Sequence, residues 1–352
     1  MPMDISRQPY IIKWLVLGVL IGLAAGFSAI TFYLMLRLMT HLFLGLLVGY
    51  EQPEPLGLGG SLRYTLHVGR PWLIPASTVI GALIVAYLAR EFRESRAGLD
   101  RVIEAYHGRK RPFSNPVLHG FMNVVLSAVT IGSGGSAGPE APTGNFGGGL
   151  SYFIAERLGL SDEDRVLAMM VGAGAALGAI FKAPIGGALL AVELPYRRDI
   201  EVKALYPAAI ASVIAYALFC LVTGFKPYLG RIITVVPIQS MPLYAVLGLV
   251  DGAVAITYIE SLDLFGRLFS RLRVGDTVKV AIGGLLVGLI GLVAPQALGS
   301  GEGWIDPAVY TRLGAFASPV LPLIIFLALL PIVKILSTSI TLGSGEVGGV
   351  FA

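Results

Sequence analysis

The sequence predicts an all-α integral membrane protein built from two inverted repeats of tilted and broken helices. Three observations predict this class. The chain has 352 residues, of which 55% are hydrophobic and only 14% are charged, and its mean hydropathy is +0.77. Its apolar segments are long enough to cross a hydrocarbon core about 30 Å thick at about 1.5 Å per residue. A glycine-rich motif also occurs twice, with Gly132 and Gly343 lying 211 positions apart.

Eight apolar segments are predicted to supply the membrane helices. They are 11–49, 71–88, 117–131, 166–194, 205–222, 241–259, 278–293 and 319–336. The first is far longer than the core of a signal peptide and lacks a cleavage site of small residues, so we expect one strongly tilted helix that stays in the protein. Buried helices of a large soluble protein are the alternative, and the low charge content argues against them.

Basic residues indicate the orientation of the chain in the membrane. They cluster before the first helix, at Arg7 and Lys13, and in the loops 90–111, 197–203 and 267–279. Because cytoplasmic loops are enriched in Lys and Arg, we expect the N-terminus and these loops in the cytoplasm. The clusters alternate with apolar segments, so membrane topology explains them better than nucleic-acid binding does.

The expected domain organisation follows from this topology and from the repeat. Residues 1–9 form an N-terminal cytoplasmic segment, 10–222 the first half of the transmembrane domain and 223–352 the second half. Cys220 is the only cysteine, so no disulfide forms within one chain. The four histidines lack metal-ligand spacing, and we expect neither a metal nor a cofactor.

The two glycine motifs are closely similar. Residues 130–141 read TIGSGGSAGPEA and residues 341–352 read TLGSGEVGGVFA, with six of the twelve positions identical. Each follows an apolar segment. Repeats around glycine-broken membrane helices are typical of a transport site between two halves of a membrane protein.

The motif chemistry favours an anion. A helix that begins after a glycine-rich turn presents unpaired backbone N–H groups and the positive end of its dipole. Glu140 begins such a helix, and a carboxylate between apolar segments is costly unless it has a function. Its ionised form would compete with an anion for the same N–H groups, and protonation would release it. The alternative is that Glu140 is an ordinary acidic residue at the N-terminus of a helix, with no role in transport.

Four motifs, in chain order, carry a resemblance to a known family. They are 98–105 (GLDRVIEA), 132–142 (GSGGSAGPEAP), 179–193 (AIFKAPIGGALLAVE) and 343–352 (GSGEVGGVFA). The second resembles the gating-glutamate motif of the CLC family of chloride channels and proton/chloride antiporters. The others resemble its diverged first filter motif, its helix-pair signature and its second filter motif. The resemblance covers about 10–352 and implies a CLC-like bundle, chloride or similar small anions as substrate, and a homodimer in the cell (inner) membrane.

The resemblance also implies roles for particular residues. Glu140 matches the gating glutamate, and the backbone amides of Val350 and Phe351 match donors to the central anion. The remaining positions expected at the anion sites are Gly138, Ala141, Gly349, Ala97 and Gly98.

Several positions depart from the family pattern. Ala97 replaces the usual serine hydroxyl at the central anion, and Leu194 replaces the inner proton-handling glutamate of antiporters. Pro139 and Ala141 replace the commoner Arg and Gly around Glu140. The sequence stops at Ala352, before the usual pore tyrosine, so we expect the second half to be incomplete at its C-terminus.

These departures leave the transport mode open. Leu194 favours channel-like conduction or weak proton coupling, although Asp199 and Glu201 lie nearby and offer another proton route. A strictly coupled proton/chloride antiporter is the alternative. An intramembrane serine hydrolase is a remote one: 134–138 fits Gly-x-Ser-x-Gly, but an apolar helix precedes it and all four histidines lie upstream of Ser136. A cation-coupled transporter would need more buried carboxylates than the sequence offers.

Overall fold

The computed structural model describes residues 8–59, 68–92, 99–108, 115–196, 198–229, 237–309, 316 and 322–351. These residues form α1 (Tyr10–Thr40), α2 (Ile74–Glu91), α3 (Asp100–Tyr106), α4 (Pro116–Gly132), α5 (Glu140–Arg157), α6 (Asp162–Ile180), α7 (Pro184–Glu193), α8 (Val202–Thr223), α9 (Met241–Arg271), α10 (Asp276–Val293), α11 (Ile305–Val309) and α12 (Leu323–Ser344). The all-α prediction is confirmed.

Six helical segments of the described chain are long and apolar enough to cross a membrane. They are Tyr10–Val48, Pro71–Glu91, Val202–Thr223, Ile238–Arg271, Asp276–Val293 and Leu323–Ser344. The first agrees with the long helix predicted over 11–49, because α1 continues as π-helical turns to Val48 and ends at Gly49, whose φ is 72°. The predicted segment 117–131 forms α4, an apolar helix of 17 residues.

The predicted apolar segment 166–194 is not one helix. It forms α6 and α7, which are separated by a turn at Lys182, whose φ of 53° is outside the helical range. Pro184 begins α7, where a missing N–H costs nothing. The Lys182 ammonium donates to the carbonyl oxygens of Gly57, Gly224 and Lys226, which holds the turn in place. Hydropathy alone does not reveal this break, since both sides of the turn are apolar.

Small residues let α6 pack closely against its neighbours. A methyl group at Gly172 would lie 1.9 Å from Ser151 Oγ on α5, and one at Gly174 would lie 2.6 Å from both the Gly187 carbonyl oxygen and Ala191 Cβ on α7. Close backbone approach of this kind is what drives helix association in a lipid environment, where the hydrophobic effect between helices is absent.

Gly174→Val is therefore expected to destabilise the bundle. The added side chain meets backbone on α7 that has no freedom to move, and overpacking of this kind costs about 1–3 kcal/mol. Thermal unfolding of the detergent-solubilised protein measures the effect. Gly252→Val on α9, where nothing lies within 4 Å of the new Cβ, is the matched control. Equal melting temperatures for the two variants would contradict the assigned α6–α7 contact.

The repeat seen in the sequence is also present in the backbone. After α4, Gly134 has a φ of 112°, and after α12, the equivalent Gly345 has a φ of 117°. In the first copy the Gly135 N–H donates to the Thr130 carbonyl at 2.8 Å, and in the second the Glu346 N–H donates to the Thr341 carbonyl at 3.3 Å. The two helices, α4 and α12, thus end in turns of the same type.

The two motifs meet at their equivalent glycines. Gly138 and Gly349 form an isolated antiparallel pair, with N···O distances of 2.9 Å and 2.8 Å. Since these residues are 211 positions apart, like the motifs themselves, the pair lies on the local two-fold axis that relates the two copies. The two motifs therefore run in opposite directions and meet at one point, which is the arrangement expected of inverted repeats.

Candidate functional site

Glu140 lies where the two motifs meet. It is the first residue of α5 and its side chain is buried, with 1% of its surface exposed. Its carboxylate fills the space beside the paired glycines: a methyl group at Gly349 would lie 1.6 Å from Glu140 Oε2, and one at Gly138 would lie 2.2 Å from the same atom. Both positions therefore require glycine for the carboxylate to occupy this place. The positive end of the α5 dipole favours its ionised form.

Two cavities lie on either side of this carboxylate. The larger, about 710 Å³, contains Lys334 and is called the Lys334 cavity. The smaller, about 400 Å³, contains Leu194 and is called the Leu194 cavity. Among the described residues, Glu140 and Phe351 line both. These two residues are themselves equivalent in the repeat, so each copy contributes one side chain to the partition between the cavities.

The Leu194 cavity gathers most of the residues singled out from the sequence. Ala141, Gly349, Val350 and Phe351 line it together with Glu140 and Leu194. Gly138 is paired with Gly349. Ala97 and Gly98 lie outside the described residues.

Hydrogen bonding divides the predicted anion donors into two groups. The N–H groups of Gly138 and Gly349 donate to each other's carbonyl oxygens, so in the structure they join the two motifs. The expectation of main-chain anion donors therefore carries over to Val350 and Phe351 at the end of the second motif. The Val350 carbonyl accepts a hydrogen bond of 2.6 Å from the Tyr258 hydroxyl of α9, which fixes the orientation of that peptide.

The Lys334 cavity contains charged groups that the sequence analysis did not single out. The Lys334 ammonium donates to the Gly299 carbonyl at 2.6 Å, and the Tyr228 hydroxyl donates to Glu302 at 2.5 Å. Burial raises the pKa of Glu302, and the Tyr228 hydrogen bond and the Lys334 charge oppose that rise. The available signal was a lysine within the apolar segment 319–336, because a charge inside a membrane helix usually has a function.

Glu346 is the second carboxylate that the sequence analysis missed. It lies in the second glycine motif, lines the Leu194 cavity and is 3% exposed. The signal was present in the alignment of the two motifs, where Glu346 occupies the position equivalent to Gly135.

Ser136, the nucleophile of the hydrolase alternative, has a structural contact. Its hydroxyl lies 2.7 Å from that of Thr338 on α12, and its N–H donates to the Thr341 hydroxyl at 3.0 Å. The side chain thus joins the first motif to the helix of the second.

Broken helices meeting at a buried carboxylate between two cavities define a membrane transport protein. Comparison with known proteins identifies its family. Residues 81–352 match the family described as "Voltage gated chloride channel", and the chain belongs to this family. The family consists of channels and transporters, so the prediction that the protein is not an enzyme is confirmed, as is the CLC resemblance.

Individual relatives agree with this assignment. The chain is 28% identical to an uncharacterized protein of Methanocaldococcus jannaschii, over 99% of this chain and 79% of that protein. It is 32% identical to the H(+)/Cl(-) exchange transporter ClcA of Salmonella agona over 63% of this chain. The match covers 47% of that ClcA, so the chain spans about half the length of this relative.

Solved structures confirm the fold. A CLC-type fluoride/proton antiporter is similar with a TM-score of 0.72 at 20% identity, over 97% of this chain and 76% of the other. A slow cyanobacterial Cl-/H+ antiporter gives a TM-score of 0.71 at 19% identity, over 99% of this chain and 76% of the other.

Proposed function

We propose that the protein transports chloride or a similar small anion along a pathway gated by Glu140, and that transport is channel-like or weakly coupled to protons. The observation that carries the proposal is the position of the Glu140 carboxylate, which lies between two cavities at the first turn of α5. An anion passing from one cavity to the other has to pass this group.

Gating follows because the Glu140 carboxylate and the anion compete for the same position at the start of α5. The ionised carboxylate occupies the space beside Gly138 and Gly349, at the positive end of α5. An anion is attracted to the same end by the same dipole. An ionised carboxylate repels an anion that approaches the same place, so the anion enters when Glu140 is displaced or protonated. The Val350 and Phe351 amides then bind the anion through main-chain N–H groups.

The degree of proton coupling depends on what replaces the usual inner glutamate. Leu194 lines the Leu194 cavity and carries no proton, which supports weak coupling. The alternative is strict proton/chloride antiport, and it is supported by the exchange activity named for ClcA and for the two antiporters of similar fold.

The surroundings of the protein are also part of the proposal. We expect the protein in the cell (inner) membrane, and the basic loops support an N-terminus on the cytoplasmic side. Apolar side chains on the outer faces of α7 and α9 support contact with lipid or with a second copy, since Ile185 is 77% exposed and Leu249 is 77% exposed. A homodimer with one pathway in each chain is the expected assembly.

Flux through purified protein in liposomes tests the function. With a chloride gradient alone, we expect chloride to leave the vesicles with little accompanying proton movement, and we expect the Nernst potential of chloride to set the reversal potential. A reversal potential displaced by an opposed proton gradient to a fixed stoichiometric value would favour strict antiport instead. Chloride efflux equal to that of protein-free vesicles would contradict the proposed function itself.

A further inference from the structure

Glu346 is a buried carboxylate for which the pathway described so far has no use. It is 3% exposed, and neither of its carboxylate oxygens makes a regular hydrogen bond within the described part of the chain. The Thr130 hydroxyl of α4 faces the carboxylate but falls short of regular hydrogen-bond geometry. An ionisable group in such a place is costly, so its presence calls for a function.

The fold does not require a carboxylate at this position. Glu346 is equivalent to Gly135, and both residues donate their N–H to the carbonyl five residues earlier in the same turn. Glycine therefore satisfies the backbone of this turn in the first copy. The side chain of Glu346 extends toward the first motif, where a methyl group at Gly135 would lie 3.1 Å from Glu346 Oε2.

Glu346 shares a cavity with the gate. Glu140, Glu346 and Leu194 all line the Leu194 cavity, whose volume is about 400 Å³. A water molecule occupies about 30 Å³ of liquid volume, so the cavity has room for several waters beside the two side chains, whose carboxylate oxygens are buried in this conformation. Its polar lining includes Asn123 and Asp100, which offer hydrogen bonds to such waters.

The charged and titratable groups around this cavity are few. In the described residues its lining carries three carboxyl groups, those of Asp100, Glu140 and Glu346. The packed helices add the Thr130 hydroxyl from α4 and the Tyr258 hydroxyl from α9, which donates to Val350. Lys334 of α12 lies in the other cavity. Within the described residues, no cation in the lining pairs with Glu346 and holds it permanently ionised.

We propose that Glu346 exchanges protons with Glu140 across the Leu194 cavity, and so performs the proton transfer for which position 194 has no group. This inference rests on the proposed function and deepens it. In the step, the O–H bond of protonated Glu140 breaks and its proton passes through cavity water to the Glu346 carboxylate, where a new O–H bond forms. Glu140 is left ionised and Glu346 neutral, so the total charge is unchanged. Two carboxyl groups that share one cavity share protons readily, because each ionised group favours protonation of the other.

Glu346→Gln tests the inference, because glutamine keeps the shape of the side chain and cannot carry the proton. Chloride is the probe, and proton movement driven by a chloride gradient is recorded beside chloride efflux in the same liposomes. We expect wild-type protein to move protons weakly, and the variant to lose that movement down to the leak of protein-free vesicles while chloride efflux persists. Glu193→Gln, an exposed carboxylate at the end of α7, is the matched control and should behave as wild type.

Two further variants separate transport from folding. Glu346→Gly introduces the residue of the equivalent position 135 and should give the same loss of proton movement. Leu194→Glu added to Glu346→Gln should restore proton movement, because it returns a carboxylate to the same cavity. Wild-type chloride efflux without proton movement would overturn the inference and leave the proposed function standing. Wild-type proton coupling in a folded Glu346→Gln protein, or loss of chloride efflux in it, would also overturn the inference. No chloride efflux in wild type would instead refute the proposed function.

Discussion

Glu140→Gln is expected to conduct chloride constitutively, with little dependence on pH. Wild-type efflux should rise on acidification, because protonation removes the charge that holds the carboxylate at the start of α5 and opposes the anion. Glutamine resembles the protonated form at every pH. Efflux from liposomes is measured between about pH 4.5 and about pH 7.5, a range that begins near the ordinary carboxyl pKa. The variant should match or exceed the acid-stimulated rate of wild type across this range.

The control for this experiment lies on the same helix. Glu156 is exposed near the C-terminal end of α5, and Glu156→Gln removes the same charge far from the partition. It should keep the wild-type pH response. If Glu140→Gln protein also keeps the wild-type pH response of chloride efflux, Glu140 is not the gate.

Gly349→Ala is expected to open the pathway at neutral pH by a steric route. The new methyl group would lie 1.6 Å from Glu140 Oε2, far inside van der Waals contact, so the carboxylate has to leave its position. Efflux at neutral pH should rise toward that of Glu140→Gln, and its pH dependence should weaken. Gly252→Ala, with open space around the new Cβ, is the matched control and should leave both properties unchanged.

A second background isolates the cause. In Glu140→Ala protein the carboxylate is absent, and the nearest remaining atom to the Gly349 methyl group is the Gly138 carbonyl oxygen at 2.9 Å. Adding Gly349→Ala to this background should therefore change efflux less than Gly349→Ala does in wild-type protein, since only the tight contact with this backbone oxygen remains. A large further change in the double variant would show that position 349 acts on the backbone pair and not on the Glu140 side chain.

Much of the architecture was predictable because it follows from patterns that repeat in the sequence. The lengths of the apolar segments predict the membrane helices. The 211-residue spacing predicts the two copies of the motif, whose equivalent glycines, Gly138 and Gly349, pair in the structure. The break between α6 and α7 was not predictable from hydropathy, because it depends on Lys182 adopting a positive φ and on three carbonyl groups from distant loops that accept from its ammonium.

The site was predictable in part. Glu140 stands out because a carboxylate at a helix start between apolar segments is rare, and Leu194 because it interrupts a known pattern. Glu346 and Lys334 were missed because each belongs to a motif or helix that already had an explanation. Only the fold shows that Glu346 shares a cavity with Glu140, since the two are 206 positions apart in the sequence.

The paired glycines have a mechanical consequence. Two hydrogen bonds tie the halves of the molecule together at their axis, and a rocking motion that separated the halves would break both bonds in a buried place. Each bond contributes about 0.5–1.5 kcal/mol net, and leaving its groups unpaired costs about 1–3 kcal/mol more. Movement of the Glu140 side chain alone leaves both hydrogen bonds intact and avoids that cost. The paired glycines thus support the proposed gating by movement of the Glu140 side chain over gating by separation of the two motifs.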